Sequence, residues 1–283
     1  MTHSASGDIV FRRGIIGAAL LAMLVAVLAV GWQRVSGASP ATPPLNIADY
    51  RLTFAEEFDS LDLSAWGPGT RWIAHTPWKG DFGDARFLDP GPNGPAQASG
   101  GVLSITMRRG ADGKWGSGLL ASVDPAGKGF TQSGGYFEMR AQFPEGAGVW
   151  PAFWLASLGA PGDLKPEVDA VEYYGQDNKN YYVNLHLWQN GKDLYQRSAR
   201  VAITPGMATS GFHLYGVSVA GDFVTFYLDR QQVAQIASRP EFMQPMMMLA
   251  NLAAGGGWPI GGIPDPSTMQ IDYIRAYQPN SAG

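Results

Sequence analysis

Alternating apolar and polar side chains mark one strand of the chain most clearly. Phe137, Met139, Ala141 and Phe143 are apolar and the residues between them are mostly polar, which is the period of a half-buried β-strand. Helical periodicity is scarce, and turns rich in glycine and proline separate the apolar runs. Four other runs have the length of a strand: residues 102–108, 213–219, 223–228 and 271–277. Many short strands without intervening helices predict an all-β, antiparallel sandwich.

The first 35 residues have a different pattern. Arg12 and Arg13 precede an uncharged apolar stretch over residues 14–31, close to the roughly 20 residues that span a bilayer. For residues 1–35 this predicts a cytoplasmic stub and a signal peptide or membrane anchor, and the small residues 36–38 (SGA) offer a cleavage site. Cleavage and retention both stay open. A proline-rich linker is predicted over residues 36–48 and one folded domain over residues 49–279.

The composition narrows the classes of protein that fit this pattern. The chain is 45% hydrophobic and only 16% charged, which is enough for a large core and excludes a disordered chain. A net charge of -4 without a run of Lys or Arg excludes nucleic acid as an expected partner. The absence of cysteine excludes disulfides, thiolate metal sites and cysteine nucleophiles. Nine Trp and 11 Tyr supply rings that can stack on the apolar faces of sugars.

The strongest candidate for chemistry is a cluster of three carboxylates, Glu167, Asp169 and Glu172, within an apolar run. Regular pleating would put Glu172 on the opposite face from the other two. A single β-bulge between Asp169 and Glu172 would return it to their face, and bulges are frequent beside active sites. Like charges held this close raise at least one pKa, as a general acid near neutral pH requires.

Two structural alternatives to catalysis stay open for this cluster. A solvated strand face would normally interleave Lys, Thr or Ser, whereas Val168, Ala170 and Val171 fill the gaps here. A calcium-binding patch would favour a loop rich in oxygen ligands, with Gly and Asn, over a β-branched strand. The motif therefore favours catalysis, with two glutamates as the carboxylate pair of a retaining glycosidase.

Several motifs in one order along the chain resemble glycoside hydrolase family 16, the group of laminarinases, lichenases and agarases. The resemblance covers nearly all of the predicted folded domain. Its motifs are FAEEF at 54–58, GGYFEMR at 134–140, GVWPAFWL at 148–155, EVDAVE at 167–172, FHLY at 212–215, FYLD at 226–229, NLA at 251–253, GWP at 257–259 and IDYIRAY at 271–277. The chain is also similar to the endo-β-glycanases of bacterial exopolysaccharides.

The resemblance implies a concanavalin-like jelly-roll sandwich and a role for each carboxylate. Glu167 would be the nucleophile, Glu172 the acid/base and Asp169 the residue that assists both. The implied substrate-binding residues are Trp150, Trp154, His186, Trp188 and Trp258. At least one of the tryptophans at 150, 154 and 258 can equally be a core residue, because large aromatics also dominate cores. The segment over residues 70–95, rich in Trp, Gly and Asp, is a candidate wall of the cleft.

The resemblance also bears on cofactors and partners. No organic cofactor is required, and the family implies a structural calcium away from the cleft, with Glu57 and Asp272 as candidate ligands. The expected partner is a polysaccharide, with the membrane met only through the N-terminal segment, and the protein is expected to be a monomer. Its expected location is extracytoplasmic: periplasmic, secreted or anchored to the inner membrane. One departure from the pattern is the hairpin at Asp229 and Arg230, which lacks the glycine that a tight turn prefers.

Together these features predict a retaining endo-β-glycanase that works by double displacement. The expected linkages are β-1,3 or mixed β-1,3/1,4, in a glucan or in a bacterial exopolysaccharide such as succinoglycan. Two alternatives use the same fold: a transglycosylase, in which a sugar replaces water as acceptor, and a carbohydrate-binding lectin without turnover.

Overall fold

A computed structural model describes residues 43–160 and 162–280, and almost all of their secondary structure is β-strand. The strands are β1 (Tyr50–Glu56), β2 (Leu63–Ser64), β3 (Trp72–Ile73), β4 (Ala85–Phe87), β5 (Ala96–Ser99), β6 (Val102–Arg109), β7 (Trp115–Ser117), β8 (Leu119–Ala121), β9 (Gln132–Ser133), β10 (Gly135–Gln142), β11 (Val149–Ala156), β12 (Lys165–Glu172), β13 (Asn180–Gln189), β14 (Lys192–Ala202), β15 (His213–Ala220), β16 (Phe223–Leu228), β17 (Gln231–Ala237), β18 (Pro245–Ala254) and β19 (Ser267–Pro279). The helices are a one-turn α-helix, α1 (Met207–Ser210), and 3-10 turns at Ile47–Asp49 and Pro240–Met243.

The strands form two sheets. The first has ten strands, with the path β17-β16-β15-β10-β19-β6-β7-β4, and β1 and β5 pair with β19 and β6. The second has nine, with the path β14-β13-β12-β11-β18-β8-β3-β2, and β9 pairs with β18. Every pairing is antiparallel except β2 with β3 and β4 with β7, at the sheet edges. The predicted sandwich is confirmed, and the five predicted strand runs coincide with β6, β10, β15, β16 and β19.

Strands β11 and β18 are apolar on both faces, which explains why their sequences show no alternation. Phe153 and Leu155 of β11 pack into the core between the sheets, whereas Ala152 and Trp154 belong to a second apolar cluster on the other face. A strand covered on both sides reads as a continuous apolar run. The second sheet is therefore covered on both faces at these strands. Its outer face also carries the candidate site.

A buried carboxylate anchors the first sheet. The Glu138 side chain is fully buried and accepts a hydrogen bond from the Tyr136 hydroxyl at 2.9 Å. Arg230 donates to both of its oxygens, from Nη2 at 2.8 Å and from Nε at 3.1 Å. Tyr273 and Tyr277 each donate to it at 3.2 Å. A buried charge is tolerated only with this kind of complete pairing.

The same contacts explain the hairpin that lacks a glycine. Asp229 and Arg230 both have positive φ, 51° and 62°, as the tight turn between β16 and β17 demands. Asp229 Oδ1 accepts the Leu214 N–H at 2.9 Å, and the Arg230 guanidinium is held by Glu138. Side-chain contacts thus offset the backbone strain that a glycine would avoid.

The predicted N-terminal segment, residues 1–35, lies outside the described residues, as does most of the predicted linker. Within the described part of the chain, no helix is long and apolar enough to cross a bilayer.

Candidate active site

Strand β12, between β11 and β13, carries the three clustered carboxylates. Opposite β13, Asp169 pairs with Asn184 and Glu172 pairs with Tyr182. Between these two pairs the chain advances by three residues in β12 but by only two in β13. Strand β12 therefore contains one extra residue, which is a β-bulge.

The bulge interrupts the alternation of side chains along β12. Val168, Ala170 and Val171 all belong to the core between the sheets, so two consecutive residues point inwards. The carboxylates on either side of the bulge consequently share the outer face of the second sheet. The predicted bulge is confirmed.

Glu172 accepts hydrogen bonds from three side chains. Trp150 Nε1 donates to its Oε1 at 3.0 Å, and the Tyr174 hydroxyl donates to the same oxygen at 3.1 Å. Asn184 Nδ2 donates to the other oxygen, Oε2. These donors fix the orientation of the carboxyl group and stabilise its ionised form.

Asp169 is in contact with a histidine that also contacts a second aspartate. His186 Nε2 lies 3.3 Å from Asp169 Oδ2, and His186 Nδ1 lies 2.7 Å from Asp193 Oδ2. Burial by itself lowers the pKa of His186, but Asp169 and then Asp193 outweigh that effect and raise it to about 10. Both carboxylates therefore favour the imidazolium form of His186.

The pKa values of both glutamates are raised. Burial is the main cause for Glu167 and for Glu172, and the negative charge of Asp169 adds to it. The nearby His186 acts in the opposite direction on both. Because the two carboxyl groups share one buried cluster, one of them retains a proton more readily than a free glutamate does, which is the condition for a general acid.

Trp188 lies on the Glu167 side of the cluster. Its ring stacks on His186, with centroids 5.6 Å apart and planes at 22°. Its buried Nε1 has no hydrogen-bond partner among the described residues, but it is near enough to Glu167 to lower the pKa of that carboxyl group. The binding roles predicted for His186 and Trp188 stay predictions, and the structure brings both residues to the carboxylates.

A cluster of carboxylates and a histidine can also bind a metal ion. Within residues 43–160 and 162–280, Glu167, Asp169 and His186 are the one group of three ligand-type side chains, with ligand atoms within 4.8 Å of one another. Both ring nitrogens of His186 already face carboxylates, so the ring is a donor at each and has no lone pair for a metal. The cluster is therefore an ion-pair network.

The two tryptophans of β11 have different surroundings. Trp150 is partly exposed, stacks on Tyr174 at 5.5 Å and contacts Glu172. Trp154 is only 6% exposed, and its Nε1 donates to Asn251 Oδ1 at 2.8 Å. A platform for a sugar needs an open ring face, so the role predicted for Trp154 does not fit. It is the core tryptophan of the pair.

The segment over residues 70–95 packs onto this face, as predicted for a wall of the cleft. Phe82 meets Trp150 and Trp154 edge-on, with ring centroids at 5.5 Å and 5.8 Å. Trp78 lies 5.9 Å from Trp154 and is 47% exposed. Trp78 therefore offers the open ring that Trp154 lacks.

Comparison with known proteins identifies the family of this chain. The model of glycosyl hydrolases family 16 matches residues 95–275. This chain belongs to that family. It is 34% identical over 249 residues to the endo-1,3-1,4-beta-glycanase ExsH of Rhizobium meliloti, and 32% identical over 250 residues to EglC of the same organism. Each alignment covers 80% of this chain and 51% of the relative, so the chain spans about half the length of these proteins.

Solved structures of family 16 enzymes share the fold. SCLam, a non-specific endo-beta-1,3(4)-glucanase, superposes with a TM-score of 0.68 at 24% identity, covering 86% of this chain and 96% of that one. The laminarinase catalytic domain of Thermotoga petrophila superposes with a TM-score of 0.66 at 23% identity, covering 82% and 99%. The predicted jelly-roll sandwich is thereby confirmed.

The candidate calcium ligands of the family each have an arginine partner in this chain. Glu57 accepts two hydrogen bonds from Arg275, both at 2.8 Å. Asp272 accepts one from Arg140 at 2.6 Å. Neither carboxylate belongs to a group of three ligand-type side chains in the described residues. Because a guanidinium already balances each charge, these two residues do not fit a calcium site as they stand.

Three residues of this family 16 site were missed from the sequence, and strand alternation could have identified two of them. Asn184 lies on β13 two residues before His186 and four before Trp188, so a period of two places all three on one face. Tyr174 follows Glu172 by two residues. Asp193 could be assigned to the site only from the register of the hairpin between β13 and β14.

Trp258 lies on a loop whose glycines approach the site closely. Trp258 is 43% exposed, and its N–H donates to the Gly255 carbonyl at 3.2 Å. A Cβ at Gly256 would lie 2.5 Å from Tyr174 and 2.9 Å from Trp150. Only glycine lets the backbone at position 256 lie against Tyr174 and Trp150, two of the three donors to Glu172.

We expect Gly256→Ala to lower kcat/KM by at least about tenfold and to destabilise the protein by roughly 1–3 kcal/mol, because the clash displaces both rings. Gly257→Ala is the control. Gly257 also has a positive φ, 90°, but a Cβ there would meet nothing within 4 Å. Equal losses in activity for the two variants would show that backbone strain, and not the position of the rings, limits the enzyme.

The raised pKa values also predict how stability depends on pH. Folding raises the pKa of Glu167 from 4.5 to about 8, so its contribution to stability is complete below about pH 4.5 and is lost as pH rises towards 8. Glu167→Gln should therefore stabilise the protein at pH 8, on the order of 1–2 kcal/mol, and have little effect near pH 5. Thermal melts at both pH values test this.

The matched control for this prediction is Glu57→Gln. Glu57 is exposed and paired with Arg275, so its replacement should not raise the melting temperature at either pH. A Glu167→Gln protein that melts at or below the wild-type temperature at pH 8 would contradict the proposed cost of burying Glu167.

Proposed function

We propose that this chain is a retaining endo-β-glycanase that hydrolyses β-1,3 or mixed β-1,3/1,4 linkages in a glucan or a bacterial exopolysaccharide. The observation that carries the proposal is the bulged strand β12, which presents Glu167, Asp169 and Glu172 on one face. The burial that raises the pKa of both glutamates supports it, because one carboxyl group must hold a proton that the leaving oxygen can accept. The similar proteins ExsH and EglC are endo-1,3-1,4-beta-glycanases, which agrees with this class of substrate.

The proposed reaction is a double displacement. In the first step a Glu167 oxygen forms a bond to the anomeric carbon while the glycosidic bond breaks, and the leaving oxygen takes the proton of Glu172. In the second step Glu172 takes a proton from water, whose oxygen replaces Glu167 at the anomeric carbon. The three donors to Glu172 suit this second step, in which Glu172 begins as an anion.

Cleavage within the polymer is supported by the open indoles around the site. Trp78 and Trp258 are 47% and 43% exposed, and each belongs to a loop that contacts the tryptophans of β11. Exposed rings at separate points can hold several sugar units of one chain.

The remaining features of the proposal concern the setting of the enzyme. We propose an extracytoplasmic location, periplasmic, secreted or attached to the inner membrane through residues 14–31, and a monomer that meets the membrane only through that segment. The reaction needs no organic cofactor, because the carboxyl groups supply both the nucleophile and the proton. A structural calcium would need ligands other than Glu57 and Asp272.

Release of reducing ends from laminarin, mixed-linkage glucan, succinoglycan, agarose and carrageenan tests this function. Wild-type protein should cut one of the first three and produce intermediate oligosaccharides early, as an endo-acting enzyme does. Glu167→Gln and Glu172→Gln should abolish the release. Sugar products longer than the substrate at high acceptor concentration would identify a transglycosylase, and binding without cleavage would identify a lectin.

A further inference from the structure

His186 has a carboxylate at each of its two ring nitrogens. Nε2 lies 3.3 Å from Asp169 and Nδ1 lies 2.7 Å from Asp193. The ring side chain is only 12% exposed, so water has little access to either contact. A neutral imidazole has one donor and one acceptor nitrogen, and its acceptor would face a carboxylate lone pair. The doubly protonated ring is the form that satisfies both contacts.

A tight hairpin brings Asp193 to this position. Asn190 and Gly191 both have positive φ, 51° and 74°, and connect β13 to β14 in the favoured two-residue turn. Trp188 then pairs with Asp193, while Leu187 pairs with Tyr195. The residue between Asp193 and Tyr195 is therefore an extra residue in β14, and this bulge lies directly beside Asp193. The turn and the bulge together aim Asp193 at His186.

We propose that Asp193 is a positioning residue that keeps His186 as an imidazolium, and that this cation balances the carboxylate of Asp169 so that the proton of the cluster stays on Glu172. The proposal rests on the proposed function, because it concerns the proton that Glu172 donates. Asp193 acts through His186, which it contacts, and is not one of the carboxylates of β12.

The proton balance of the cluster gives the reason. With His186 protonated, the carboxylate of Asp169, which is only 5% exposed, has a counter-charge in direct contact. If His186 lost its proton, this counter-charge would be lost. The four groups of the cluster would then compete differently for the remaining proton, and Glu172 would hold it less often for the leaving oxygen.

Acidic groups face His186 from both neighbouring strands. From β12 these are Glu167 and Asp169, and from β14 it is Asp193. Glu172 interacts with the ring at longer range. All are acidic, so each favours the imidazolium, and Asp193 is the one that is not itself part of the carboxylate cluster on β12.

The direct test is the protonation state of His186 by NMR in protein labelled with ¹⁵N-histidine. In the wild type both ring nitrogens should remain protonated to about pH 8 or above, and in Asp193→Asn the ring should titrate at least about one pH unit lower. Asparagine keeps the size and one oxygen acceptor of the side chain, so the hairpin should be unchanged.

A second histidine–aspartate pair in the chain provides the matched control. His213 Nδ1 lies 2.8 Å from Asp229 Oδ2, the same atoms at nearly the same distance, on the other sheet. Asp229→Asn removes the same kind of contact outside the site, so it should leave the titration of His186 and the activity unchanged.

The kinetic readout distinguishes positioning from a general loss of structure. For Asp193→Asn, the ratio of wild-type to variant kcat/KM should rise with pH, from less than about threefold near pH 5.5 to at least about tenfold near pH 8. A ratio that does not depend on pH would contradict the proposal. So would a wild-type His186 that is neutral at pH 7, or a titration of His186 that is the same in Asp193→Asn as in the wild type. If the wild type cleaves no polysaccharide, the proposed function fails, and the NMR titration still decides whether Asp193 controls His186.

Discussion

Glu167→Ala should lower kcat/KM by roughly 10⁴-fold or more on every substrate, because no other group can form the bond to the anomeric carbon. Glu172→Ala should behave differently. On a polysaccharide, whose leaving oxygen needs a proton, we expect a loss of about 10³-fold to 10⁵-fold. On an aryl glycoside with a good leaving group, formation of the glycosyl-enzyme needs no acid, so the first step should be nearly unaffected.

The comparison between polysaccharide and aryl glycoside therefore separates the two carboxylates. Measurements of kcat/KM for both variants on both substrates provide it, with Asp229→Asn as a substitution outside the site. The opposite pattern, with Glu167→Ala sparing the activated substrate, would exchange the two roles. Tyr174→Phe, which removes one donor to Glu172, should change kcat/KM far less, by about tenfold, because two donors remain.

Arg230→Ala should destabilise the protein by about 3–5 kcal/mol, because it leaves the charge of Glu138 buried without its cation. The Glu138 side chain is fully inaccessible, and Arg230 supplies two of its five hydrogen bonds. The tyrosine hydroxyls that supply the others cannot neutralise a charge. Unfolding in urea at neutral pH gives the free energy of unfolding for comparison.

Arg275→Ala is the matched control for this ion pair. Arg275 also holds a glutamate, Glu57, through two hydrogen bonds, but that carboxylate is 44% exposed. Water can solvate Glu57 once the arginine is removed, so we expect a loss of at most about 1 kcal/mol. Similar losses in the free energy of unfolding for Arg230→Ala and Arg275→Ala would contradict this account. They would mean that bidentate geometry, and not burial, determines how much the ion pair of Glu138 stabilises the protein.

The carboxylate strand could be predicted from the sequence in detail. Apolar residues at 168, 170 and 171 between the acids are compatible with only one pattern in which all three acids share a face. That pattern requires one extra residue between Asp169 and Glu172, and the structure has it there. Local alternation was sufficient because a strand with one buried face has little freedom of register.

The identity of the open tryptophan could not be predicted in the same way. Trp150 and Trp154 are four residues apart on one strand and both point to the outer face of the sheet. Phe82 contacts both rings, and what separates them is cover from another part of the chain, where Trp78 packs onto Trp154. Contacts between distant segments leave no periodic signal, so the sequence suggested a sugar platform at a residue that the fold buries.

Asp193 lies between these two cases. The dipeptide Asn190-Gly191 predicts a two-residue hairpin, and that hairpin places Asp193 opposite Trp188. The contact with His186 depends in addition on the bulge that follows, and a bulge in an exposed edge strand has no apolar pattern to reveal it. The sequence therefore indicated the neighbourhood of Asp193 but not its partner.

The most direct test of the central assignment, Glu167 as nucleophile and Glu172 as acid/base, is the anomeric configuration of the products when azide is added to alanine variants acting on an activated aryl β-glycoside. In Glu167→Ala, azide should replace the missing nucleophile and attack once, giving the α-glycosyl azide. In Glu172→Ala, azide should attack the glycosyl-enzyme formed on Glu167, giving the β-glycosyl azide. The reverse pair of products would exchange the two roles, and an α-azide from both variants would contradict the double displacement itself.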